Sequence, residues 1–123
     1  MTIERNYDKL FVFLCKMGDL TTAKYVSKHI SNNPLTRKSI FRDAFTISCN
    51  MSHIHIADWI NRLPITFNLS IYTKVFHHAC EYGLLDVAKW LFNTYPNIDI
   101  SVFKEYAFYI SCMNDHLDIS KWL

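Results

Sequence analysis

Four cysteines, Cys15, Cys49, Cys80 and Cys112, stand 34, 31 and 32 residues apart, and a near-constant spacing in this range marks a stack of helical repeats. Other residues keep the same register. Four residues before each cysteine stands a phenylalanine (Phe11, Phe45, Phe76, Phe108), and ten residues after each stands an aromatic (Tyr25, Trp59, Trp90, Trp122). Between them run the columns Leu20, Ile54, Leu85, Leu117, then Thr22, Ile56, Val87, Ile119, then Ala23, Ala57, Ala88, Ser120, and last Val26, Ile60, Leu91, Leu123. Almost every column keeps its physical character. The chain therefore reads as four copies of one unit, about residues 5–33, 37–64, 68–96 and 100–123, forming a single repeat domain over residues 1–123.

Each copy carries two helices. Leu85, Ala88, Leu91 and Phe92 recur at spacings of three and four with Asp86 and Lys89 opposite, the stripe of an amphipathic second helix. The first helix spans about residues 101–114 in the last copy, with Phe108 and Ser111 or Cys112 on its buried side. Ser39, Ser70 and Ser101, spaced by 31 and 31, are expected to cap the first helices, because a serine oxygen can accept an orphan amide of the first turn. Gly18, Ser52, Gly83 and Asp115 mark the turn between the two helices, being residue types that tolerate a left-handed or turn conformation. The connectors hold Pro34, Pro64 and Pro96, which stop helices and favour an extended path. Residues 65–69 alternate apolar and polar, a pattern that suits a short extended piece.

Composition excludes several classes. With 50% hydrophobic and 20% charged residues over 123 positions, the chain is apolar enough to fold and long enough for one core. A net charge of +2 from scattered basic residues offers no field that would draw a phosphate backbone, so no nucleic-acid partner is expected. The early apolar stretch, residues 10–15, is too short for a signal core, and no later run reaches membrane-spanning length. A soluble cytoplasmic protein with reduced thiols is expected, and the sequon at Asn68 then has no use.

"GLLDVAKWLF" (83–92), "SHIHIADWI" (52–60) and "DHLDISKWL" (115–123) resemble the second helix of ankyrin repeats, and "FHHACEYG" (76–83) resembles the end of the first helix. The A-K-W-L wording is similar to the ankyrin-like repeat proteins encoded in many copies by giant DNA viruses of amoebae. The resemblance implies an all-α, ankyrin-like solenoid of about four helix-turn-helix repeats with short extended connectors. The T-P-L-H element of ankyrin first helices is replaced by Lys74-Val75-Phe76-His77 and by Tyr106-Ala107-Phe108-Tyr109, so only His77 matches its histidine.

Chemical sites are weighed against that scaffold. His77, His78 and Cys80 are close in sequence, but a zinc site needs three or four converging ligands, and the residues equivalent to His77 are Val12, Thr46 and Tyr109. Cys80 lies in the buried small-residue column, where a thiol behaves as a small hydrophobe, whereas a nucleophilic cysteine needs an activated, partly exposed thiol. His53 and His116 match the histidine that follows the turn in ankyrin repeats, and His55 shares a solvent-facing column with Thr21, Asp86 and Asp118. With two glycines in the chain there is no phosphate-cradling loop. No catalytic residue, metal or cofactor is expected. The Tyr25, Trp59, Trp90, Trp122 column is read as packing between neighbouring copies.

The first helix opposite its buried side is the more informative surface. Its columns are Phe13, Ile47, His78, Ile110 and, one turn later, Met17, Met51, Tyr82, Asn114. In ankyrin-like stacks this side lines the concave surface where partners dock. Packing between helices is the favoured reading for the Phe13 column, and partner binding is expected at Met17, Met51, His78, Tyr82 and Asn114. The last copy ends on Trp122-Leu123 without a polar cap, which suits either a longer array or self-association through that end. The resemblance implies a non-catalytic protein–protein interaction module, binding a host protein in the host cytoplasm if the viral likeness holds. The alternative is a self-associating structural or virion-associated scaffold.

Overall fold

A computed structural model describes residues 2–95 and 100–123, with side chains for residues 6–95 and 104–123. Among the described residues eight helices follow one another: α1 (Thr2–Met17), α2 (Leu20–Ser27), α3 (Pro34–Asn50), α4 (Ile54–Asn61), α5 (Leu69–Tyr82), α6 (Leu85–Thr94), α7 (Ile100–Met113) and α8 (Leu117–Trp122). They alternate long and short, one helix pair per copy, and no strand occurs among the described residues. The architecture is all-α, a series of helix-turn-helix repeats. The chain divides into two compact units, Met1–Thr66 and Phe67–Leu123. In the first, α1 packs on α2 and α3, and α3 on α4; in the second, α5 packs on α6 and α7, and α7 on α8.

The turn inside each copy is one structure built four times. Gly18, Ser52, Gly83 and Asp115 have φ of 82°, 63°, 75° and 60°, so the column singled out by residue type is the left-handed one. The amide of the following residue reaches back to the last turn of the first helix: Asp19 to Leu14 O at 3.0 Å, His53 to Ser48 O at 2.7 Å, Leu84 to Ala79 O and His116 to Ser111 O at 2.8 Å. This bond satisfies a carbonyl the helix leaves orphaned and needs a positive φ at the residue before it. Asp19, His53, Leu84 and His116 then share φ near −90° and ψ of 69–82° at the start of the second helix.

Caps at the first helices differ from the expectation. Asn33 caps α3, its Oδ1 accepting from Leu35 N at 3.0 Å and Thr36 N at 3.1 Å with Pro34 in the first turn. Ser39 lies inside α3, where its hydroxyl accepts from Arg42. Asn68 precedes α5, so Ser70 is the second helical residue. Ser101 is likewise inside α7, and its side chain lies outside the described residues, as does Pro96. The serines recur because the copies do; at α3 it is Asn33, before Pro34, that caps the helix, while Asn68 makes no side-chain capping bond at α5. Residues 65–68 form a connector without strand pairing.

In three copies the phenylalanine and cysteine columns are sealed: Phe11 and Cys15, Phe45 and Cys49, and Phe76 and Cys80 are 0–2% exposed. The second helices contribute Ala23, Ile56, Ala57, Ile60, Val87, Ala88, Leu91 and Ile119 to the same cores. The last copy departs. Ser111 is fully buried as expected, but Phe108 is 49% exposed and Cys112 is exposed, because among the described residues no helix covers that face of α7.

Candidate functional site

The thiols of Cys15, Cys49 and Cys80 lie on the buried side of the first helices, and burial makes them poor nucleophiles; Cys112 is exposed. Desolvation pushes Cys15 up to about 12 and Cys80 up to about 11, each pulled slightly back by a serine of the next copy, Ser48 and Ser111. Burial alone pushes Cys49 up as well. Ser48 Oγ donates to Ala44 O at 2.7 Å. Ser111 Oγ makes the matching bond to Ala107 O at 2.6 Å. A protonated, desolvated thiol does not attack at neutral pH.

The histidines after the turns serve packing. His53 Nε2 meets Lys16 O at 3.0 Å and His55 Nε2 meets Gly18 O at 3.2 Å, so both rings bind the backbone of the preceding copy's turn. His116 occupies the equivalent place over Gly83. His77 is half-buried with its ring 4.8 Å from that of Tyr106, and burial lowers its pKa. Among the described residues no three His, Cys, Asp or Glu side chains come together as metal ligands, and no helix is long and apolar enough to cross a membrane.

The tryptophan column packs, as its place beside the apolar stripe implies. Trp59 meets Phe11 and Phe41 edge-on at 6.1 and 6.2 Å. Trp122 lies 5.8 Å from Phe92 and 6.2 Å from Phe76, and Trp90 stands edge-on to Tyr95. Tyr25 is the exception at 65% exposed, its ring 5.5 Å from His29.

The predicted partner-binding residues sit at the C-terminal ends of the first helices. Met17 ends α1, Met51 follows α3, Tyr82 ends α5 and Asn114 follows α7. Met17, Met51 and Tyr82 are 61%, 46% and 60% exposed, and Asn114 is exposed. Asn114 Nδ2 donates to Ile110 O at 2.8 Å, which occupies its amide within its own helix. His78 is half-buried, its ring 4.4 Å from that of Tyr82, and burial lowers its pKa while Glu81 opposes that shift.

Phe13 corrects the packing reading of its column, since it is 54% exposed, whereas Ile47 and Ile110 are half-buried. In the second unit Tyr109 and Met113 of α7 are also exposed, at 59% and 62%. Their signal was in the sequence, because Tyr109 shares the column of His77. In the first unit the exposed group is thus Phe13, Met17 and Met51; in the second it is Tyr82, Tyr109 and Met113. Large apolar side chains in water on a folded surface suit protein contact.

Residues 76–123 match the family model described as ankyrin repeats (many copies). Neither the curated proteins nor the solved structures contain a match to this chain. The matched span begins at Phe76, inside the first helix of the third copy, and runs through the fourth, so it takes in the segments 76–92 and 115–123 that carry the resemblance and leaves 52–60 outside. Over residues 76–123, most of the last two of its helix-turn-helix copies, the chain is similar to ankyrin repeats.

Proposed function

We propose that the chain is a non-catalytic protein-binding module whose partner docks on the first-helix residues Met17 and Met51 of the first unit and His78, Tyr82 and Asn114 of the second. Ankyrin repeats imply a protein–protein interaction module. The observation that carries the reading is the exposure of Met17, Met51 and Tyr82, 46–61%, two residues beyond cysteines sealed to within 2%. Each such side chain keeps apolar area in water at roughly 25 cal/mol per Å², which a partner recovers. A few aromatic and methionine anchors on a rigid surface then supply most of the affinity. The likeness to the repeats of giant DNA viruses favours a host-cell protein as partner and the host cytoplasm as the place of binding.

A second reading, a self-associating scaffold, is favoured by Phe108 and Leu117 of the last copy, 49% and 61% exposed. Affinity capture from cell lysate separates the two. A wild-type chain is compared with the Met51→Glu, Tyr82→Glu variant, both checked by circular dichroism. A protein retained by the first and lost by the second supports the binding surface. Equal capture by both, with concentration-dependent oligomers in sedimentation, sinks it and leaves the scaffold.

A further inference from the structure

A cavity of about 470 Å³ lies within the first unit, between the start of α3 and the connector that follows α4. Arg37, Lys38 and Phe41 of the helix face Leu63, Pro64 and Ile65 of the connector across it. The volume falls in the range of sites that take a small ligand or an inserted side chain. Its floor takes its apolar surface from Leu63, Pro64 and Ile65, backed by Phe41, which is 1% exposed and set edge-on to Phe11 and Trp59.

Both charged residues of the lining are cations, and no acid lines it. The ion pairs among the described residues join Arg42 to Asp43 and Arg62 to Asp58, so Arg37 and Lys38 lack a carboxylate partner there. Arg37 is nonetheless held in place. Its Nη1 donates to Ser27 O at 3.4 Å and its guanidinium lies 5.2 Å over the Phe41 ring. A guanidinium has five N–H donors in a planar fork that fits a carboxylate, and a fixed fork loses less entropy on binding. The surrounding charge has the same sign: residues 1–66 hold nine Lys and Arg against five Asp and Glu, while residues 67–123 hold four against six.

We propose that this cavity is a second docking site, which takes an acidic peptide segment of a partner protein, an apolar side chain filling the floor and a neighbouring carboxylate bound by Arg37 and Lys38. The occupant's class rests on the protein-binding reading; the site itself does not. Two cations are too few for a phosphate backbone, and the buried Phe41 ring offers no face for base stacking. The site is separate from the Met51 surface, since Lys38 and Met51 are thirteen residues apart along one helix, about 20 Å at the α-helical rise.

The test is fluorescence anisotropy at about 50 mM salt with the labelled peptide GSEEFEDSG, its neutral analogue GSQQFQNSG, its alanine analogue GSEEAEDSG and a ten-nucleotide oligouridylate. The acidic phenylalanine peptide is expected to bind, and each analogue to bind at least about 10-fold more weakly. Lys38→Glu, at an exposed position where folding is unaffected, is expected to weaken binding by about 10-fold or more. The Met51→Glu, Tyr82→Glu variant is expected to bind it normally, and amide shifts on titration are expected at residues 35–41, 63, 65 and 66. The proposal is overturned by no saturable binding up to about 1 mM, by equal affinity in Lys38→Glu, by tighter binding of the oligouridylate, or by shifts centred elsewhere. Loss of peptide binding in the Met51→Glu, Tyr82→Glu variant places the peptide on the other surface and overturns it too.

Discussion

The His53 ring lies against Gly18, close enough that a Cβ on the glycine would stand 2.8 Å from its Cε1, while its Nε2 meets the Lys16 carbonyl at 3.0 Å. The same pairing recurs in the second unit, where a Cβ on Gly83 would stand 2.6 Å from His116 Nδ1. Glycine is required at both turns twice over, by a positive φ and by the ring of the next copy. Gly18→Ala and Gly83→Ala should each destabilise by about 1–3 kcal/mol. Urea unfolding measures this; a cost below a few tenths would show that the histidines are not seated on these turns.

Ser52 and Asp115 hold the same left-handed conformation with a side chain attached, at φ 63° and 60°. Glycine there removes the Cβ strain of about 1–2 kcal/mol and adds backbone entropy to the unfolded chain. Ser52→Gly and Asp115→Gly are therefore expected to stabilise by about 0.5–1 kcal/mol each, read as a rise in the thermal midpoint. A fall in both would mean that their side chains do more than fill the turn.

The copies were legible because each repeats the same local demands: a residue able to turn left-handed after the first helix, and a Phe and Cys pair before it, sealed in the first three copies. Contacts between copies were not legible in that way. Ser48 with Cys15 and His53 with Gly18 join residues 33 and 35 apart, and depend on how one copy lies against another. The alternation was visible, since serine stands before the cysteine only at Ser48 and Ser111, but its partner was not. The Met17, Met51 and Tyr82 surface was readable from the column opposite the core. The cavity at Arg37 was not, because an irregular connector without periodicity forms one of its walls.

The caps show a misread signal. Asn33 followed by Pro34 is the stronger start signature, a side-chain acceptor and a residue preset for the first turn, whereas the 31-residue spacing of the serines reflects the repeat alone. Asn33→Ala should cost about 1 kcal/mol, and Ser39→Ala almost nothing. Matched denaturation curves decide it, and the reverse order would restore the serine caps.

His77 and His78 carry a pH prediction. Burial lowers both below the ordinary 6.5, so the unfolded chain binds more protons than the folded one as pH falls through about 6.5. The stability they permit is full above that pH and is lost progressively below it, toward their lowered folded values. The thermal midpoint should fall between about pH 7.5 and 5.5, and fall less in a His77→Asn, His78→Gln variant. An equal slope in the two proteins would assign the dependence to other groups.

The central claim, that partners dock on the exposed ends of the first helices, is tested most directly by hydroxyl-radical footprinting of the chain with and without its captured partner. Methionine and tyrosine are labelled readily when exposed, so the surface reports on itself, and Tyr25, 65% exposed on a second helix, serves as the internal control. Met17, Met51 and Tyr82 should lose most of their labelling on binding while Tyr25 keeps its own. Protection of Tyr25 with the other three unchanged would contradict the account.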